Sequence, residues 1–125
     1  MTNAALKDLN TRFIYRSDTR EKWRILKDAG TVWGDCEDYG LTLAWILSGR
    51  SMTRFWINIL TFRFVIWHCL SPRGVGHAIL WVHGHGWVDN IQRRFVSRRE
   101  LRNKGYKLRY PHNAVTIALK FALSR

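Results

Sequence analysis

The sequence predicts an α+β fold on three observations. Segments with apolar residues at helical spacing come first, and short runs rich in Phe, Val, Ile and Trp follow between residues 60 and 91. His83-Gly84-His85-Gly86 separates two of those runs as a hairpin turn does. The 125 residues are 46% hydrophobic with seven Trp, enough for one buried core but not two. The expectation is one domain over residues 1–125, with N-terminal helices packed on an antiparallel sheet.

Thr2 to Asn10 reads as a short helix, followed by the apolar triplet Phe13, Ile14 and Tyr15. Ser17 or Asp18 then caps a helix expected from Thr19 to Ala29, stopped by Gly30, and Thr31 to Gly34 reads as a loop. Asp35 is a natural N-cap, and Cys36, Tyr39, Gly40, Leu43 and Leu47 share one face of the helix that Gly49 ends. The most apolar stretch, Phe55 to Leu70, is 16 residues long and holds Asn58, Arg63 and His68, too short and too polar to cross a bilayer. It reads as buried strand, most clearly from Leu60 to Cys69.

Ser71 to Gly76 is the next loop, and His77 to Val82 and Trp87 to Ile91 are the arms of the hairpin. A pivot about His83 sets residue 77 opposite residue 89; a pivot between Gly84 and His85 leaves them a diagonal or bulged contact. Ser97 to Asn103 reads as helix, Tyr106 to Tyr110 as strand, and Asn113 to Leu123 as helix in preference to strand. Pro72 and Pro111, the only prolines, are expected in loops.

Chemistry concentrates in Asp35-Cys36-Glu37-Asp38, Gly76-His77-Ala78 and Trp87-Val88-Asp89-Asn90. A thiol is a nucleophile only as thiolate, and Cys36 in a first helical turn lies where unpaired N–H groups and the helix dipole lower a thiol pKa. His77 then reads as general base and acid, and Asp89 as the group that holds its tautomer. The Cys36 backbone N–H is a candidate oxyanion donor, with Trp33 as a candidate second donor. Taken singly, each of the three also reads as an ordinary structural residue; their order and setting together favour catalysis.

The chain resembles the bacterial transglutaminase-like cysteine proteinases, a branch of the papain-like fold. The resemblance runs through Asn10-x-x-Phe13-x-Tyr15-x-x-Asp18, Gly34-Asp35-Cys36-Glu37-Asp38-Tyr39, Gly76-His77-Ala78-Ile79-Leu80 and Val88-Asp89-Asn90. It implies a papain-like core, catalytic residues at Cys36, His77 and Asp89, and cleavage of a protein or peptide substrate through an acyl-enzyme. No cofactor is required by that chemistry. Some relatives bind calcium through acids beside the cysteine, which makes Asp35, Glu37 and Asp38 candidate ligands; the competing role is capping and contact with the helix dipole. Short relatives are similar to proteins carried by tailed bacteriophages, and Met1 to Asn10 lacks the apolar run of a signal peptide, so a cytoplasmic or phage-associated location is expected.

Cys36 and Cys69 form no CxxC unit, in keeping with a reduced compartment. His83 and His85 could join His77 or Asp89 as zinc ligands, although Gly84 and Gly86 favour a solvated turn. The formal net charge is +12, and residues 90–125 hold ten Lys or Arg against one acid, Glu100. Arg93, Arg94, Arg98, Arg99 and Arg102 are thus candidates for binding an anionic polymer, nucleic acid or an acidic protein, with a solvated basic face as the plainer reading. Two other functions share these residues: a transglutaminase or peptidoglycan amidase using the same triad, and a non-catalytic binding or inhibitory module that works through its basic face.

Overall fold

A computed structural model describes residues 2–16 and 23–123. Helix α1 (Thr2–Arg12) leads into strand β1 (Phe13–Tyr15), which pairs in parallel with β2 (Val32–Gly34). Helices α2 (Cys36–Leu47) and α3 (Met52–Leu60) follow, then β3 (Phe64–Leu70), β4 (Gly76–Val82), β5 (Gly86–Val88), α4 (Arg98–Lys104), β6 (Lys107–His112) and α5 (Ala114–Leu123). The last four strands form an antiparallel sheet in the order β5-β4-β3-β6.

Helix α2 organises the molecule. Every residue from Asp38 to Ile46 is buried, so this helix is enclosed on nearly all sides. It packs on β4 and β3 at Gly40, where a Cβ would lie 3.2 Å from Ile66 Cδ1 and press on that side chain. Leu41, Leu43, Ile66 and Leu80 form the heart of the main core with Leu9, Phe13 and Phe55. The opposite sheet face carries a smaller core of Cys69, Ile79, Trp87, Val96, Leu101 and Tyr106, covered by α4.

The start of α2 is fixed by a capping box in which Asp35 accepts from Asp38 N and Asp38 accepts from Asp35 N. Gly34 is needed for it: a Cβ at residue 34 would lie 2.7 Å from both Cβ and Oδ2 of Asp38. Gly34→Ala should displace Asp38 and cost about 1–2 kcal/mol of stability, read as a lower urea midpoint. An unchanged midpoint would show that the cap does not depend on this close approach.

Several elements depart from expectation. The helix expected over Thr19 to Ala29 falls partly outside the described residues; from Trp23 to Asp28 the chain is not helical. Its backbone serves α2 instead, with Arg24 N–H donating to Asp38 Oδ1 at 2.9 Å and Leu26 N–H to Thr42 Oγ1 at 2.8 Å, while Trp23 enters the core. The expected loop at Thr31 to Gly34 contains β2, because β1 offers it a parallel partner.

The apolar run from Phe55 begins as helix, not strand. Ser51 caps α3, and Phe55 and Ile59, four apart, are its buried positions. Strand structure starts only at Phe64, after a turn in which Phe62 takes a φ of 60°. Pro111 lies inside β6 instead of a loop, opposite Trp67; β6 is an edge strand, where a missing N–H is tolerated. The expected return strand Trp87 to Ile91 is shortened to β5, because Trp87 also bridges to Val96 and the chain turns after Val88. The helices at 98–104 and 114–123 agree with the reading of their segments. Among the described residues no helix is long and apolar enough to cross a membrane.

Candidate active site

The hairpin pairs Leu80 with Val88, Trp81 with Trp87 and Val82 with Gly86, so it turns about Gly84. Continuing that register sets residue 89 opposite 79, not 77. Gly86 determines this turn: its φ is 107°, and a Cβ there would lie 2.6 Å from the Val96 carbonyl oxygen. Side chains alternate with a period of two, so residues 77 and 89 still share a face and meet diagonally. His77 Nε2 lies 2.9 Å from Asp89 Oδ2, and both residues are buried.

Asp89 is held on every side. Oδ2 also accepts from the Tyr106 hydroxyl at 2.7 Å, and Oδ1 accepts from Gln92 N–H at 2.8 Å. Burial pushes its pKa up, but the hydrogen bonds from His77, Gln92 and Tyr106 outweigh that and hold the carboxyl below its usual range. An ionised carboxylate only accepts, so it selects the imidazole tautomer with the proton on Nε2 and leaves the Nδ1 lone pair available.

Cys36 approaches from the other side of β4. Its Sγ accepts from Ala78 N–H at 3.3 Å, one residue beyond His77, and donates to Glu37 Oε2 at 3.3 Å. Among the described residues no hydrogen bond joins it to His77. Burial pushes the thiol pKa up, and the Glu37 and Asp35 carboxylates add to this, with the Ala78 N–H opposing. Burial and these carboxylates thus oppose the lowering expected from the helix terminus. Contact between a nucleophile and its base commonly tightens only when substrate binds.

The acids around Cys36 are unusual. Burial, with the hydrogen bond to and charge of Asp35, raises Glu37 to about 7. Burial and the Asp35 charge raise Asp38 to about 6, against the Arg24 and Asp35 N–H groups and the Arg24 guanidinium. Asp38 is wholly buried, with its oxygens taken by those two amides and Arg24 3.6 Å away. Calcium takes roughly six to eight oxygens, and among the described residues no three His, Cys, Asp or Glu side chains are grouped to hold a metal ion. In this arrangement Asp35 and Asp38 serve the cap of α2 and Glu37 accepts from the Cys36 thiol. His83 packs on the Trp81 ring and His85 on Phe95, so these two histidines join no metal group among the described residues either.

Cys36 and His77 line one open cleft of about 540 Å³, walled by Tyr15, Arg73, Val75 and Ile91. Trp33, the candidate second oxyanion donor, is not in its wall. Alternation along β2 leaves that side chain exposed, with the Arg16 guanidinium over its ring. The basic candidates also separate. Arg93 is structural: it donates to the carbonyls of Asn90, Asn10 and Phe13 and lies over the Phe13 ring. Arg94 is exposed but paired with Glu100, while Arg98, Arg99 and Arg102 are exposed on α4.

Sequence reading missed four residues that support the site. Tyr106 carries the second hydrogen bond to Asp89, and was legible only as an aromatic in a basic segment. Asn10 and Arg93 tie α1 to the turn after Asp89, since Asn10 Nδ2 donates to the Arg93 carbonyl at 2.7 Å. Tyr39 joins this network by donating to Asn10 Oδ1 at 2.6 Å. Asn10 and Tyr39 do occur in the motifs that carry the family resemblance; Arg93 left no signal beyond its charge.

No protein-family model and no curated protein matches the chain. Among solved structures, Legionella pneumophila LapG superposes with a TM-score of 0.62 at 17% identity over 91% of this chain. EGTA-treated LapG from the same organism gives 0.61, 17% and 91%. The chain spans 66% and 64% of the length of those two chains. LapG is a transglutaminase-like cysteine protease of papain-like fold. At this identity the likeness establishes a shared α+β, papain-like architecture.

Proposed function

We propose that this chain is a cysteine peptidase, or a closely related amide hydrolase, acting through Cys36, His77 and Asp89. The observation that supports this most is the common cleft of Cys36 and His77, with the His77 ring held by a buried carboxylate at 2.9 Å. In the reaction, substrate displaces the Cys36 thiol from Glu37 toward His77 Nδ1, which takes its proton. The thiolate attacks the amide carbon, and the resulting oxyanion faces the Cys36 N–H in the first turn of α2. The imidazolium, stabilised by Asp89, returns its proton to the leaving amine as the C–N bond breaks. Water, deprotonated by Nδ1, then cleaves the thioester and regenerates the thiol. The fold shared with LapG is consistent with this chemistry, which requires no cofactor.

The test uses a peptidyl acyloxymethyl ketone, which alkylates a thiol efficiently only where a histidine assists. One adduct is expected, mapping to Cys36 and absent from Cys69, which is fully buried with burial pushing its thiol up to about 12. Labelling of Cys36 no faster than in urea-unfolded protein would overturn the proposal. With a cleavable peptide in hand, adding a primary amine distinguishes hydrolysis from transfer: a product carrying the amine identifies a transglutaminase.

A further inference from the structure

The walls of the cleft suggest what it binds. Tyr15, Val75 and Ile91 are 54%, 61% and 57% exposed, and they come from β1, the β3–β4 turn and the segment after β5. Large apolar side chains so exposed are usually scattered; three converging around one nucleophile form a surface that a ligand would take out of water. Beside them stands Arg73, the only permanently charged side chain in the wall among the described residues. It is exposed and makes no ion pair among the described residues.

The turn that carries Arg73 is ordered by its own backbone. Ser71 N–H donates to the Val75 carbonyl at 2.8 Å and Gly74 N–H to the Ser71 carbonyl at 2.8 Å, with Gly74 at a φ of 76°. This fixes the base of the Arg73 side chain at the rim, next to Val75. A guanidinium so placed has a geometry suited to a carboxylate, which it can grip with two hydrogen bonds. Half-buried Glu37 and buried Asp89 are engaged elsewhere, with the Cys36 thiol and with His77, Tyr106 and Gln92.

We propose that Arg73 selects substrate: the cleft takes an extended peptide with apolar side chains near the scissile bond and a carboxylate side chain that docks on Arg73. This rests on the acyl-enzyme reading above. On binding, Val75, Ile91 and Tyr15 lose water to the apolar side chains, and the acidic residue sets the register of the peptide across Cys36.

The experiment compares acyloxymethyl ketones of leucyl-alanine peptides carrying either Asp or Lys at each neighbouring position in turn. Labelling of Cys36 is followed by intact mass, with each variant checked for unchanged circular dichroism. The native chain should favour Asp over Lys by about tenfold at one position. Arg73→Gln should abolish that preference and Arg73→Glu invert it. Strong labelling of Cys36 without any charge preference, or a preference that survives Arg73→Glu, overturns this proposal and leaves the acyl-enzyme reading intact. Failure of every probe to label Cys36 in the native chain overturns both.

Discussion

Asp89→Asn is expected to slow modification of Cys36 by the peptidyl acyloxymethyl ketone by about a thousandfold to ten-thousandfold, as loss of the carboxylate does in serine enzymes with the analogous triad. The carboxylate accepts from three donors, with His77 and Tyr106 on Oδ2 and Gln92 N–H on Oδ1. An amide has one oxygen and one NH2 group. Placed toward His77 and Tyr106, its oxygen leaves NH2 facing the Gln92 N–H; reversed, NH2 faces the imidazole and drives the proton to Nδ1. In the first arrangement a backbone donor is stranded, and in the second the base is lost. The site is buried, so a stranded donor also lowers stability by about 1–3 kcal/mol. A variant that labels at the native rate would show that Asp89 serves folding alone.

The second large effect is expected at Glu37, and it runs in the opposite direction. Glu37 accepts the Cys36 thiol proton and its charge raises the thiol pKa, so Glu37→Gln should speed alkylation by iodoacetamide at pH 8 about tenfold. Because burial raises Glu37 to about 7, it is largely neutral at pH 6 and the gain should shrink there. The stability effect has a definite sign. Glu37 binds its proton more tightly folded than unfolded, where its value is 4.5, so the native chain loses stability as pH rises from about 4.5 to about 7. Glu37→Gln should flatten that slope in urea titrations across the same window. An unchanged slope, with unchanged alkylation at pH 8, would mean that Glu37 does not govern the thiol.

These two variants separate what local sequence reveals from what it does not. The cap of α2 was legible because Asp35 and Asp38 act across three residues, and the hydrogen bonds that favour them there are local. The segment from Phe55 is ambiguous in sequence because Phe55, Trp56, Ile57, Ile59 and Leu60 satisfy both periods; the buried pair Phe55 and Ile59 distinguishes helix only once a core is present. The segment from Trp23 to Asp28 was misread for a related reason. Its amides are claimed by Asp38 and Thr42, fourteen and sixteen residues ahead, which local propensity does not register.

By itself the sequence determined the α+β class, the helix that presents Cys36, and the order of thiol, imidazole and carboxylate, since elements follow from local periodicity and caps and the order is read along the chain. Only the tertiary structure decided that Asp89 reaches His77 diagonally, that Tyr106 shares its oxygen and that Arg93 belongs to the scaffold. Those contacts span 12, 17 and as many as 83 residues. They depend on which side chains and carbonyls the packed elements bring together, a competition decided among all elements at once.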